Sequence, residues 1–255
     1  MDGLVAVAGG TGFIGSHLVS ELRRRGLACR TISRRSRPDP NHVRADITDI
    51  GSLRRALYGA DTIVNLVALS PLLPAGNRAR YLAVHLRGAR NLVRVAREIG
   101  ARRLVQVSAL GVTTDSPAPY AWTKARAERV VLDSGIPSVV IAPGIGFGDD
   151  SELVRALRFV ARFPLLPLPL LPTPFSPVHA ADLAVVIADA LQPGFAGEAQ
   201  RVEVAGPETV TGTEFAELYL RARGVRLVPV PASAVRFGLR GVSALQLPGA
   251  PHWLL

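Results

Sequence analysis

Lysine is almost missing from this chain. Of its 30 basic residues only Lys124 is a lysine, and the other 29 are arginines. Cysteine is as scarce: Cys29 stands alone, which excludes an intrachain disulfide and gives no cysteine cluster for a metal. Aromatic residues make up 5%, too few to interleave with the arginines as the stacking platforms of a nucleic-acid groove do, so no nucleic-acid partner is expected. No apolar stretch is long enough and free enough of proline and glycine to cross a bilayer as a helix. The start has no secretory pattern, because Asp2 sits where a basic segment belongs and glycines break the apolar run. A cytoplasmic protein is expected.

What is present describes a globular chain. Hydrophobic residues account for 48% of the 255 positions, enough for one large domain or one domain with a small lobe. The formal net charge of +10 suits an acidic ligand or an anionic surface, but most arginines fall on solvated faces of predicted helices.

The organising stretch is Val5-Ala6-Val7-Ala8-Gly9-Gly10-Thr11-Gly12-Phe13-Ile14-Gly15. An apolar strand runs into glycines three apart, and a helix over 14–25 follows, with Leu18 and Leu22 on one face. Gly9 permits a tight turn, Gly12 lets backbone N–H groups approach a pyrophosphate, and Gly15 lets the helix lie close to the strand. The phosphate charge then meets the positive end of the helix dipole. A second strand, 28–32, ends in Ser33-Arg34-Arg35-Ser36-Arg37, and no acid occurs between Glu21 and Asp39. An acid at the end of that strand would bond a free ribose 2′-hydroxyl, whereas arginines with a serine suit a 2′-phosphate. NADPH is therefore expected over NADH. Further strands are expected at 43–47, 62–66 and 104–107, with helices over 50–57 and 80–99. Strand and helix in alternation imply an α/β fold, a doubly wound parallel sheet with ligands outside the carboxyl ends of its strands. The loops after the strands at 4–8, 28–32, 62–66 and 104–107 are expected to face the cofactor.

Tyr120 and Lys124 stand four apart at the start of a helical run. An ammonium beside a phenol lowers the phenol pKa, and the same lysine can donate to a ribose hydroxyl. The one lysine of an arginine-rich chain stands where a compact ammonium, not a guanidinium, is required.

With these residues in view, the chain is similar to extended or atypical short-chain dehydrogenases/reductases. The resemblance rests on Gly9, Gly12 and Gly15, Asp46 with Ile47, Asn65 to Ala68, Ser108, Tyr120 with Lys124, and Pro143-Gly144. It covers residues 4–210. Within that superfamily it is most similar to the branch that holds the large Rossmann accessory subunit of respiratory complex I and stand-alone bacterial relatives, through 116–120, 177–184 and 205–208. The resemblance implies a Rossmann-type domain over 1–145. It also implies a smaller C-terminal substrate lobe over 146–255, of which about 177–191 packs back on the first domain. It implies Tyr120, Lys124 and Ser108 as catalytic residues. For the cofactor it implies Gly9, Gly10, Thr11, Gly12, Phe13, Ile14, Gly15, Ser33, Arg34, Arg35, Asp46, Ile47, Val67, Ala68, Lys124 and Pro143, with no metal. Two functions follow: an NADP(H)-dependent, epimerase-like oxidoreductase acting on a small, largely apolar carbonyl or alcohol, or a non-catalytic binding or assembly subunit. Three departures from the family pattern bear on the choice. Ala142 replaces an arginine, His85 replaces an asparagine, and Leu110 stands where extended members carry Ser or Thr. A homodimer agrees with the family's paired helices.

In the second half, helices are expected over 152–161 and 211–223, and another from 177–191 with Asp182 near its start. Strands are expected at 138–142, 200–204 and 228–230, and a short helix at 234–239. The run 163–178 has no charge and six prolines. It reads as a loop linking two lobes, an apolar wall over substrate, or a surface that meets lipid, a quinone or a partner.

Overall fold

The structure is a computed structural model, and it describes residues 3–70, 78–162, 165–169, 172–192, 194–195 and 200–230. In chain order the elements begin with β1 (Leu4–Ala8), α1 (Phe13–Arg24), β2 (Cys29–Ser33), β3 (His42–Arg44), α2 (Ile50–Leu57) and β4 (Ala60–Asn65). Then come α3 (Arg78–Tyr81), a π-helical segment (Leu82–Arg87), α4 (Gly88–Glu98), β5 (Arg103–Val107), α5 (Pro119–Leu132) and β6 (Ser138–Pro143). They continue with β7 (Gly146–Phe147), α6 (Glu152–Val160), β8 (Leu165–Pro169), β9 (Pro174–Phe175), β10 (Val178–His179) and α7 (Ala180–Asp189). The last are β11 (Gln200–Val204), β12 (Val210–Thr211), α8 (Gly212–Arg221) and β13 (Arg226–Val230).

The chain divides into two compact units, one of 1–144 with 180–204 and one of 145–179 with 205–255. The first holds a seven-stranded sheet in the order β11-β6-β5-β4-β1-β2-β3. Every pair in it is parallel. The order reverses between β1 and β4, the switch point at which such sheets bind ligands. The inner strands β1, β4 and β6 are buried on both faces, so they read as largely apolar runs and not as alternating ones. Helices pack as two sets, α1 with α7, and α2 with α4 with α5. Ala6, Ile63, Leu104 and Val140 of the sheet meet Leu53 and Leu57 of α2, Leu92 and Val95 of α4, and Val131 of α5. Each large buried side chain of this kind stabilises the fold by about 1.5–3 kcal/mol.

Local chemistry sets the helix ends. Asp49 caps α2 by accepting the Gly51 N–H at 2.9 Å. Pro119 opens α5 in the first turn, where no N–H is needed. In the second unit Thr211 and Glu214 form a reciprocal capping box on α8.

Several expectations change. The predicted helix over 80–99 is interrupted by the π-helical segment. The third strand stops at Arg44, because Asp46 and Thr48 close a turn. The described part of 163–178 is not a plain loop: β8 pairs with β13, β9 with β12 and β10 with β7, each as a two-stranded ladder. Prolines are tolerated there because such ladders have only edge strands. In the same unit, Leu157 of α6 packs with Ala216 and Leu220 of α8 and with Val225. The helix expected at 234–239 and the terminal Trp253-Leu254-Leu255 lie outside the described residues.

Candidate nucleotide and acid–base site

The turn after β1 is built from backbone. Gly9 has φ +84, where a side chain is strained, and its N–H donates to the Ile32 carbonyl at 2.9 Å. The Gly12 N–H donates back to the Gly9 carbonyl at 2.9 Å. A Cβ on Gly15 would fall 2.2 Å from the Gly9 carbonyl oxygen and 2.7 Å from Gly10 Cα, so α1 can lie this close only as glycine. Gly10 is buried, and a Cβ there would meet Thr31 at 2.8 Å. No side chain caps α1 and no acid stands in its first turn, which begins with Phe13 and Ile14. Its positive end is therefore open to an anion.

In front of this turn lies a cavity of about 730 Å³. It gathers Gly9, Thr11, Gly12, Ser33, Arg34, Arg35, Asp46, Ile47, Val67 and Ala68 of the predicted cofactor residues. It adds Arg37 and, from α3 across the cavity, Arg80. Only the tertiary structure brings Arg80 there, since no motif marks it. The loops after β1, β2, β3 and β4 line it together with α2, α3 and the π-helical segment, and the loop after β5 does not contribute. Among the described residues the guanidinium groups of Arg34, Arg35 and Arg37 have no carboxylate partner. Ser33 is less available than its sequence position suggests. Its hydroxyl donates to the Arg35 carbonyl at 2.8 Å and so can only accept from His42 Nε2 at 2.9 Å. The Asp46 carboxylate accepts both the N–H and the hydroxyl of Thr48, at 2.8 and 2.7 Å, and holds its own turn. Ile47 packs where a Cβ on Gly88 would stand 2.9 Å from its Cγ2.

Tyr120, Lys124, Ser108 and Pro143 are not on that cavity wall. They stand around the ends of β5 and β6 and the start of α5. Lys124 is 3% exposed and donates from Nζ to the Val107 carbonyl at 2.8 Å. Burial draws its pKa down to about 8, against the pull of Glu128 one turn on. The expected lowering of the Tyr120 pKa is not found. Burial, with Tyr81 beside it, pushes that phenol up to about 12, and the lysine is engaged with a backbone carbonyl. The Tyr120 ring meets the edges or faces of Tyr81 and His85 at 5.9 and 5.5 Å. Ser108 is buried, and its Oγ has no hydrogen-bond partner among the described residues. Such an orphan hydroxyl is costly unless a ligand completes it. Leu110, which follows, is 38% exposed, while Ala142 is fully buried in β6.

Residues 5–143 match the model of the NAD dependent epimerase/dehydratase family. The chain belongs to that family. Its relatives include NADH dehydrogenase (ubiquinone) 1 alpha subcomplex subunit 9, mitochondrial, of Arabidopsis thaliana, 30% identical over 86% of this chain and 58% of the relative. Ceramide reductase of Caulobacter vibrioides is 30% identical over 71% of this chain and 59% of the relative. The chain thus spans less than two thirds of the length of these relatives. The structure of MoeE5 in complex with UDP-glucuronic acid and NAD superposes with a TM-score of 0.78 at 23% identity, covering 90% of this chain and 86% of that one. The fold is the NAD(P)-binding Rossmann type of this family. Among the described residues no helix is long and apolar enough to cross a membrane.

Proposed function

We propose that the chain binds NADP(H) and serves as an oxidoreductase on a small, largely apolar carbonyl or alcohol. The observation that carries this is the sole lysine. It is buried one turn after Tyr120, with its Nζ on the carbonyl of the residue before the orphaned Ser108 hydroxyl. A surface lysine in an arginine-rich protein would not be there.

Gly9, Gly12 and the opening of α1 would hold the diphosphate, and Arg34, Arg35 and Arg37 the ribose phosphate. Bound NADPH supplies hydride to the substrate carbon, or NADP⁺ accepts it in the reverse direction. Ser108 Oγ donates a hydrogen bond to the substrate oxygen and polarises it. Tyr120, with a pKa near 12, is a neutral phenol at working pH and gives its proton to the oxygen as the carbonyl is reduced. The Lys124 ammonium supports the phenolate so formed and can donate to ribose. Leu110 leaves apolar surface exposed, in keeping with an apolar substrate.

The test is consumption of NADPH by purified protein against a panel of carbonyl compounds. Turnover is expected with at least one, and Tyr120→Phe is expected to slow it by about a hundredfold or more. Turnover unaffected by that change removes the acid–base role. Leu110 and Ala142 favour a second reading, a cofactor-holding binding or assembly protein, in which the apolar surface meets a partner, a quinone or a membrane face. NADPH retained through purification with no turnover on any compound would favour it.

A further inference from the structure

Behind the acid–base pair lies a buried histidine. His85 sits in the π-helical segment, 3% exposed. Its Nε2 accepts the Leu69 N–H at 3.0 Å, and its Nδ1 lies 2.9 Å from Thr123 Oγ1. That oxygen lies 2.7 Å from the Pro119 carbonyl and 3.0 Å from the Tyr120 carbonyl. The polarity is determined at each step. A backbone N–H only donates, so Nε2 carries no proton. The proton of the neutral imidazole is then on Nδ1 and is donated to Thr123 Oγ1. The threonine hydroxyl spends its own hydrogen on the first turn of α5.

A second chain of hydrogen bonds runs alongside. The Val67 N–H donates to Asn65 Oδ1 at 3.1 Å, and Asn65 Nδ2 donates to Gln106 Oε1 at 2.8 Å. Gln106 Nε2 donates to the Val107 carbonyl at 3.1 Å, and the same oxygen receives Lys124 Nζ at 2.8 Å. Val67 and Leu69 line the cavity, as do Ala83 and Val84 next to His85. Tyr120 and Lys124 ride on α5. One loop is therefore joined to one helix twice. The π-helical segment lets Ala83 and Val84 line the cavity while His85 is buried, a use often made of such segments.

We propose that His85 is a positioning residue, which in its Nδ1–H form pins the cavity-lining Leu69 to the first turn of α5, so that nucleotide lying against Val67 to Leu69 sets where the Tyr120 phenol stands. The pinning is independent of the ligand; only the last clause rests on the NADP(H) reading. No single carboxamide can replace both bonds. Asparagine matches the reach of Nδ1 to Thr123, and glutamine that of Nε2 to Leu69. An imidazolium would turn a second N–H against the Leu69 N–H, so the site holds the neutral ring.

The test uses the whole chain, isotope-labelled for NMR. Long-range proton–nitrogen spectra are expected to show His85 as the Nδ1–H tautomer, unchanged from pH 5 to pH 8. An Nε2–H tautomer, or titration inside that range, overturns the proposal. Exchange of the Leu69 amide is expected to be about tenfold faster in His85→Asn and near wild type in His85→Gln, the effect of one lost hydrogen bond. Unchanged exchange in His85→Asn overturns it. Should that variant not fold, Thr123→Val serves in its place. It removes the acceptor that holds the Nδ1–H at the α5 end and is expected to speed exchange of the Leu69 amide; unchanged Leu69 exchange overturns the proposal. NADPH is then titrated as the probe. Wild-type resonances of Tyr120 and Thr123 are expected to shift with those of Val67 to Leu69, and in His85→Asn the former are expected to stay still. Shifts at the loop alone in the wild type sink the coupling. Shifts nowhere, Gly9 to Gly12 included, sink the nucleotide reading, and the pinning is then decided by tautomer and exchange.

Discussion

The two ends of the candidate site in the first unit are built in opposite ways. The end at β1 and β2 is an open cavity of about 730 Å³ walled by glycine backbone and arginine side chains, with a helix terminus left uncapped. The end at β5 and α5 is closed. Lys124, His85, Thr123, Gln106 and Asn65 are all buried, and nearly every polar atom there is bonded within the protein. The open end needs a ligand to complete its electrostatics. Among the described residues the closed end has already spent most of its hydrogen bonds, and Ser108 Oγ and Glu128 Oε1 are left without a partner. An anion can be met by backbone alone, whereas a proton donor has to be fixed in place by buried neighbours, and burial is also what drives the Tyr120, Lys124 and His85 pKa values away from their ordinary ranges.

Acid should break the closed end. His85 is held down to about pKa 3 in the fold, chiefly by burial and then by the charge of Lys124, against 6.5 when unfolded. Between those values the unfolded chain binds the extra proton, so stability is complete above pH 6.5 and is lost as pH falls toward 3, by on the order of 4 kcal/mol. Urea unfolding across that range, with the His85→Gln curve subtracted to remove the carboxylates, measures it. A difference curve that is flat contradicts the buried neutral ring. Lys124 acts at the other side: its pKa of about 8 against 10.5 predicts that stability rises from pH 8 to 10.5.

Gly15→Ala should break the open end. The added Cβ meets backbone at 2.2 Å, so NADPH binding is expected to vanish in calorimetry and stability to fall by about 3 kcal/mol. Arg34→Ala sharpens the contrast without disturbing the fold. It is expected to weaken NADPH more than NADH by about 1–3 kcal/mol, the worth of a charge-assisted bond, and equal losses would remove the 2′-phosphate reading. Ser108→Ala has the smallest structural effect. Removing an unpaired buried hydroxyl is expected to leave stability within about 0.5 kcal/mol while turnover falls about tenfold. A large loss of stability would mean that the hydroxyl has a partner in the free protein.

The open end was legible in the sequence because its requirements are local. Gly9, Gly12 and Gly15 act through their own backbone, and the arginines at 34 and 35 follow directly on a strand end. The spans of α2 and β11 agree with those expected from the sequence. Arg80 escaped notice because nothing in a helical arginine says which cavity it will face. Four-residue spacing places an ammonium near the Tyr120 phenol but does not say that burial and Tyr81 will push that phenol up, or that the Val107 carbonyl will take the lysine. The strands β8, β9 and β10 were unreadable in a run of prolines, since their partners lie up to sixty residues away in sequence.

By itself, the sequence settled the parallel α/β fold, the glycine turn and the four-residue spacing of the only lysine from a tyrosine, all products of spacing and residue type within one or two turns of chain. Tertiary structure alone decided that His85 joins Leu69 to Thr123, that Lys124 is dry, and that Ser108 is left without a partner. Those facts depend on which distant groups converge and on how much water is excluded, and neither is encoded in any local pattern.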